Sequence, residues 1–267
     1  MVLPLGDIEK TRITPFATYV LITLNILVYI AQRDRGDEFT AAYAATPYEI
    51  AHNVDITVPQ PIQIVAPPDE GLRPDRALPV QVHMIDHAPG PHPIWLTLFT
   101  AMFLHGSPLH LAGNMLYLWI FGDNVEEVLG RFRYVIVYLT AGLVGSMFQI
   151  LANPNSIIPT LGASGAIAGV MGMYVIWFPH NRVRVLVFRF LTEMPAVIVI
   201  GIWIVIQILE GVGSYSRLGQ SGGVAYLAHV GGALTGFVVA YVYYDQAETL
   251  KRENEAREGW FYAPEPE

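Results

Sequence analysis

Leu161-Gly162-Ala163-Ser164-Gly165-Ala166-Ile167-Ala168-Gly169 sets one serine among small residues at the head of an apolar run. Two readings are open here. Gly-x-Ser-Gly makes a helix face on which another backbone can pack closely in a membrane, and it also presents a hydroxyl at a helix N-terminus. Run length bears on the choice. Ser164 to Phe178 is fifteen residues, about 22 Å of helix against a hydrocarbon core of about 30 Å. With Pro179 at one membrane face, Ser164 lies below the other. Ile157-Ile158-Pro159-Thr160-Leu161-Gly162 must then descend as irregular backbone, which is tolerated only inside protein or beside water.

Working outward, hydrophobic residues make up 53% of the 267 and charged residues only 14%, a membrane composition rather than that of a soluble domain. Six apolar runs, roughly 15–31, 97–121, 133–152, 164–179, 195–211 and 224–244, approach spanning length. The expected organisation is a lead-in over 1–14, a six-helix domain over 15–244 and an acidic, mobile tail over 245–267. Lys10 and Arg12 precede the first run, but its exit, Ala31-Gln32-Arg33-Asp34, offers no small-residue cleavage site, so it is read as a retained span. Alternating six spans puts ten Lys and Arg on one side and five on the other, which orients both termini to the cytoplasm. Without a visible transit peptide, the expected location is a prokaryotic cell membrane. Zero cysteines exclude disulfides, thiolate metal sites and cysteine nucleophiles, and the net charge of −8 offers no basic nucleic-acid surface.

Residues 46–93 hold ten of the nineteen prolines and no sustained helical period, so they read as a long external loop. His83, His87 and Asp86 have a spacing compatible with a metal, yet lack a third-ligand pattern. His52, His83, His87 and His92 are read as surface histidines, and no metal or cofactor is expected. In the second span, Ser107-Pro108 begins the helix, leaving His105 in the external approach. His110 and Asn114, four apart, share one face. Polar groups inside a span face a partner or a wet cavity, so an interhelical hydrogen-bond pair and a chemical site both remain open. The connector Asn181–Arg189 mixes basic and apolar residues as an interfacial segment would. Span 5 is plain apolar and ends at Gln207 and Glu210, the latter read as interfacial. In span 6, Ala225, His229, Gly232 and Gly236 form a nearly bare face whose natural mate is Ser164, Ala168 and Gly172.

A serine needs a base to take its proton, and histidine suits that task near neutral pH. No Asp or Glu lies deep in a span to complete a triad, so the economical reading is a Ser164–His229 dyad. Asn114, His110 and the Ser164 amide are the candidate oxyanion donors, and Gly162, Gly165, Gly232 and Gly236 are the structural residues near the site. A transporter would carry charged mid-membrane groups and an internal repeat. Neither is found, nor is a His-Glu-x-x-His motif or a pair of buried aspartates.

His110-x-x-x-Asn114, Gly162-x-Ser164-Gly165 and Ala228-His229-x-x-Gly232-x-x-x-Gly236, in this order on spans 2, 4 and 6, resemble the rhomboid intramembrane serine proteases. The resemblance implies an all-α, six-transmembrane-helix bundle, here with a short fourth helix and a Pro-rich first external loop. It implies Ser164 as nucleophile, His229 as base and acid, and Asn114, His110 and the Ser164 amide at the oxyanion, with Glu126 and Gly130 closing span 2 structurally. Expected partners are the bilayer and transmembrane segments of other membrane proteins, cut where small or helix-destabilising residues let the helix unwind. Two departures stand out. Trp95-Leu96-Thr97 lacks the Trp-Arg pair of many members, and Ala168 replaces an aromatic that in some members stacks on the histidine, leaving His229 to other neighbours. The alternative is a non-catalytic rhomboid-like protein that binds transmembrane helices; such relatives generally lack a dyad residue.

Overall fold

The computed structural model describes residues 2–9, 11–65, 80–216 and 225–261. Nine α-helices lie among them: α1 (Phe16–Tyr43), α2 (Pro47–His52), α3 (Thr97–Thr100), α4 (Pro108–Leu129), α5 (Arg131–Ala152), α6 (Ser164–Trp177), α7 (Ala196–Ser216), α8 (Tyr226–Val242) and α9 (Tyr244–Phe261). Five strands, β1 (Val2–Asp7), β2 (Gln60–Val65), β3 (Val80–Ile85), β4 (Arg182–Val187) and β5 (Phe190–Pro195), accompany them. By length and composition α1 and α5 can each cross a membrane, and α8 with α9, bent by 68°, make a third candidate; α6 and Ala196–Leu209 are apolar but shorter.

The bundle is organised by the contact of α6 with α8. A Cβ added at Gly232 would stand 1.9 Å from the Gly165 carbonyl oxygen, and one at Gly236 would stand 2.1 Å from that of Gly169. From the other side, a Cβ at Gly172 would reach the Ala233 oxygen at 2.6 Å. Only glycine lets the two backbones touch in this way. The expected mating face is present, with Ala168 and Gly172 in it and with the Gly165 and Gly169 carbonyls meeting the α8 glycines. At Gly145, α5 approaches the same seam, 2.5 Å from a built Cβ to the Ala228 oxygen.

A carboxylate ties α1 to α4. Glu126, fully buried, accepts from the Ala17 amide (2.9 Å), the Thr18 amide (2.8 Å) and the Thr18 hydroxyl (2.8 Å). It thus satisfies orphan donors at the positive end of α1.

Several expectations are corrected. The molecule is not all-α: β1, β4 and β5 form an antiparallel sheet in the order β1-β4-β5, and β2 pairs with β3. The connector at 182–187 alternates Arg182-Val183-Arg184-Val185, and Val183 and Val185 are fully buried, the period-two pattern of a half-buried strand. The lead-in supplies β1, which pairs with β4. The first helical stretch does break in the charged cluster, at the non-helical Gly36 (φ 84°), but a second stretch continues α1 to Tyr43. The second-span helix begins at Pro108 as expected, with Ser107 as its cap and the Ser107 hydroxyl accepting the His110 amide at 3.1 Å, but the start of the 97–121 run is not part of it: residues 97–103 fold as the short α3 and a 3₁₀ turn. The Pro-rich loop contains α2 and the β2–β3 hairpin; its residues 66–79 lie outside those described. His87 is buried beside Glu49, 4.0 Å away. At that separation burial dominates, holding His87 below its usual range and raising Glu49. Most of the acidic tail forms α9, anchored by fully buried Ala247 and by Arg12 donating to the Asn254 carbonyl at 2.8 Å; residues 262–267 and the Glu210 side chain lie outside those described.

Candidate active site

The segment before α6 is irregular and held by protein. Ala45 and Thr160 exchange backbone hydrogen bonds of 2.9 Å, and the Gly162 amide donates to Ala101 at 2.8 Å. Gly162 has φ +125°, a conformation L residues rarely adopt, and a Cβ there would meet the His110 ring at 2.9 Å. This turn delivers Ser164 to the first position of α6, where its own amide has no intrahelical partner.

Across the glycine seam, the Ser164 hydroxyl lies 2.7 Å from His229 Nε2. The imidazole is buried, and its Nδ1 lies 2.6 Å from Gln207 Oε1 on α7. Trp203, one turn before Gln207, lies against the ring with centroids 5.4 Å apart and planes tilted by 37°. Tyr226 meets the ring edge-on at 6.4 Å. These are the neighbours that stand in for an aromatic at Ala168.

On α4, His110 Nδ1 faces the Gly106 amide at 3.4 Å, an arrangement that in the neutral ring leaves the hydrogen on Nε2. Asn114 donates through Nδ2 to His105 Nε2 at 3.0 Å, leaving its second amide hydrogen free for another acceptor. Its Nδ2 lies 3.7 Å from a Cβ built at Gly162, beside the His110 ring. His105, expected in the external approach, is instead almost fully buried. Gln32 on α1 clamps it, accepting its amide and donating to its carbonyl, both at 3.0 Å. A cavity of about 20 Å³ lined by Ser146, Gly162, Ser164, Gly165 and Ala228 adjoins the hydroxyl, room for one water.

The structure thus brings Ser164, His229, His110, Asn114 and Gly162 to one place, with Gly165, Gly232 and Gly236 in the seam that allows it. Sequence reasoning missed His105, Trp203 and Gln207. The available signal was spacing: Trp203 and Gln207 are four apart and share a helix face, as do His110 and Asn114. Among the described residues no group of three or more His, Cys, Asp or Glu side chains is arranged to hold a metal ion.

The family model described as Rhomboid domain matches residues 92–246, more than half of the chain, a stretch that includes His110, Asn114, Gly162, Ser164 and His229. The chain belongs to the rhomboid family. Its apolar helices and that membership make it an integral membrane protein. This rhomboid is similar to Rhomboid protein 1, mitochondrial, of Saccharomyces cerevisiae, with 29% identity over 62% of this chain and 47% of that protein. It is also similar to Rhomboid protease GluP of Bacillus subtilis, 35% identical over 55% of this chain and 25% of the relative, and to Rhomboid-like protein 11, chloroplastic, of Arabidopsis thaliana, 29% identical over 56% and 53%. The matches therefore span between a quarter and about half the length of these relatives.

Proposed function

We propose that this rhomboid is an intramembrane serine endopeptidase acting on transmembrane segments of other membrane proteins. The observation that carries the reading is the 2.7 Å contact between the Ser164 hydroxyl and His229 Nε2. Ser164 attacks the substrate carbonyl while His229 takes its proton. The Ser164 amide, the second amide hydrogen of Asn114 and His110 Nε2–H stabilise the oxyanion that forms. His229 then protonates the leaving amine, and a water, deprotonated by His229, hydrolyses the acyl-enzyme and frees Ser164. A peptide bond in an intact helix is hydrogen-bonded and shielded, so substrates with small or helix-destabilising residues near the cut are preferred. The six apolar runs are read as six spans with both termini cytoplasmic in a prokaryotic cell membrane, although relatives named mitochondrial and chloroplastic occur.

The alternative, a non-catalytic protein that binds transmembrane helices, gives no reason for a buried histidine to meet a serine at hydrogen-bond distance, and the contact favours the protease. The test is cleavage of a panel of transmembrane substrates by purified protein in detergent. Cleavage by wild type and its loss in Ser164→Ala and His229→Ala support the reading; equal cleavage by either variant sinks it.

A further inference from the structure

Serine accepts a general base only if that base offers a lone pair, and an imidazole has two tautomers. In one, the proton sits on Nδ1 and Nε2 can take the serine proton. In the other, Nε2 is itself a donor and His229 can only donate to the Ser164 hydroxyl. Whatever faces Nδ1 therefore decides whether the dyad works. Among the described residues no carboxylate does so. The group facing it is Gln207, whose Oε1 lies 2.6 Å from Nδ1.

We propose that Gln207 is a positioning residue that completes a Ser164–His229–Gln207 relay, its amide oxygen accepting from Nδ1–H and thereby fixing His229 in the tautomer that can accept from Ser164. The proposal rests on the dyad reading. The same face of α7 supplies Trp203, which lies against the imidazole and limits its rotation about the Cβ–Cγ bond. One helix thus provides both constraints on His229, a hydrogen bond in the ring plane and a surface beside the ring. Ala168, with no ring of its own to offer, is fully buried under α8, its Cβ 3.3 Å from a Cβ built at Gly232. A neutral amide also explains how His229 is oriented without a buried carboxylate, which a low-dielectric site would penalise.

The amide oxygen and nitrogen are nearly isosteric, so the tautomer carries the test. Gln207→Leu keeps the bulk and removes the acceptor, whereas Gln207→Glu keeps the acceptor. If Gln207 only packs, Leu is tolerated and Glu is not. If it orients His229, the order reverses. Loss of the orienting group in a Ser-His-Asp triad costs about 10⁴ in kcat, and a neutral orienter should cost less, so Gln207→Leu is expected to lower kcat by about 100-fold. KM and melting temperature should change little, and Gln207→Glu should recover most of kcat. In parallel, ¹⁵N NMR of histidine-labelled protein in micelles is expected to find the His229 proton on Nδ1 in wild type and redistributed towards Nε2 in Gln207→Leu. This readout needs no turnover, so a failed relay is distinguishable from a failed protease reading. Wild-type kcat in Gln207→Leu, a loss that follows melting temperature, or a wild-type proton on Nε2 would each overturn the proposal.

Discussion

Gly236→Ala tests the coupling between helix packing and chemistry without touching the site. Gly236 lies about two turns beyond His229 on α8. A Cβ there would stand 2.1 Å from the Gly169 oxygen, against an ordinary carbon–oxygen contact of about 3.3 Å. The helices must therefore part by about 1 Å. On helix propensity alone the substitution favours folding by about 1 kcal/mol, while overpacking costs about 1–3 kcal/mol. The net loss is at most about 2 kcal/mol, and the protein stays folded. The rate cannot escape so easily, because Ser164 and His229 sit on the two helices being parted and are joined by a 2.7 Å contact. A misplacement of about 1 Å costs on the order of 100-fold in rate. The assay is steady-state cleavage of a transmembrane substrate in micelles, with a thermal melt of the same preparations. Leu234→Ala, at a side chain 45% exposed on the same helix, is the control and should leave kcat unchanged. Folded Gly236→Ala protein with kcat within about threefold of wild type would show that the glycine seam does not set the Ser164–His229 distance.

Asn114→Ala is expected to lower kcat by about 100-fold, the loss of one oxyanion donor, with KM nearly unchanged, as measured on the same substrate; unchanged turnover would remove Asn114 from the oxyanion site. Asp7 predicts a pH dependence of stability. Burial, reinforced by the charge of Glu9, raises its carboxyl from 3.8 to about 6 against the opposing hydrogen bond from Tyr174. The folded state then holds the proton more tightly than the unfolded one, so the stability this group contributes is full below pH 3.8 and is lost as pH rises through about 6. Asp7→Asn, still able to accept from Tyr174, should raise stability at pH 8 by about 1–2 kcal/mol and flatten the melting profile between pH 4 and 8. A wild-type profile in the variant would contradict this.

What the sequence made legible follows from how local each signal is. Gly232 and Gly236 recur on one helix face with His229, and Ser164 opens a run too short to span, so seam and serine could be read from spacing. His110 and Asn114 were legible for the same reason. The sheet was not: Arg182-Val183-Arg184-Val185 shows strand alternation, but its partner β1 lies at the far end of the chain, and mixed basic and apolar residues also fit an interfacial segment. The α9 charges hid its docking face, because fully buried Ala247 sits in a polar stretch, Asp245-Gln246-Ala247-Glu248. Gln207 looked like the polar end of an apolar run. Its meaning depends on His229, 22 residues later, and on how α7 is rotated against α8, which no local pattern fixes. His105 was misread because the residues that hold it in the interior include Gln32, 73 residues away.

The central claim is that His229 activates Ser164, and covalent labelling of purified protein with a fluorophosphonate reads it directly. Intact-mass and peptide analysis of wild type should find one adduct, on Ser164, with no label on that residue in His229→Ala under the same conditions. Labelling at another residue, or equal labelling of Ser164 in His229→Ala, would contradict the account.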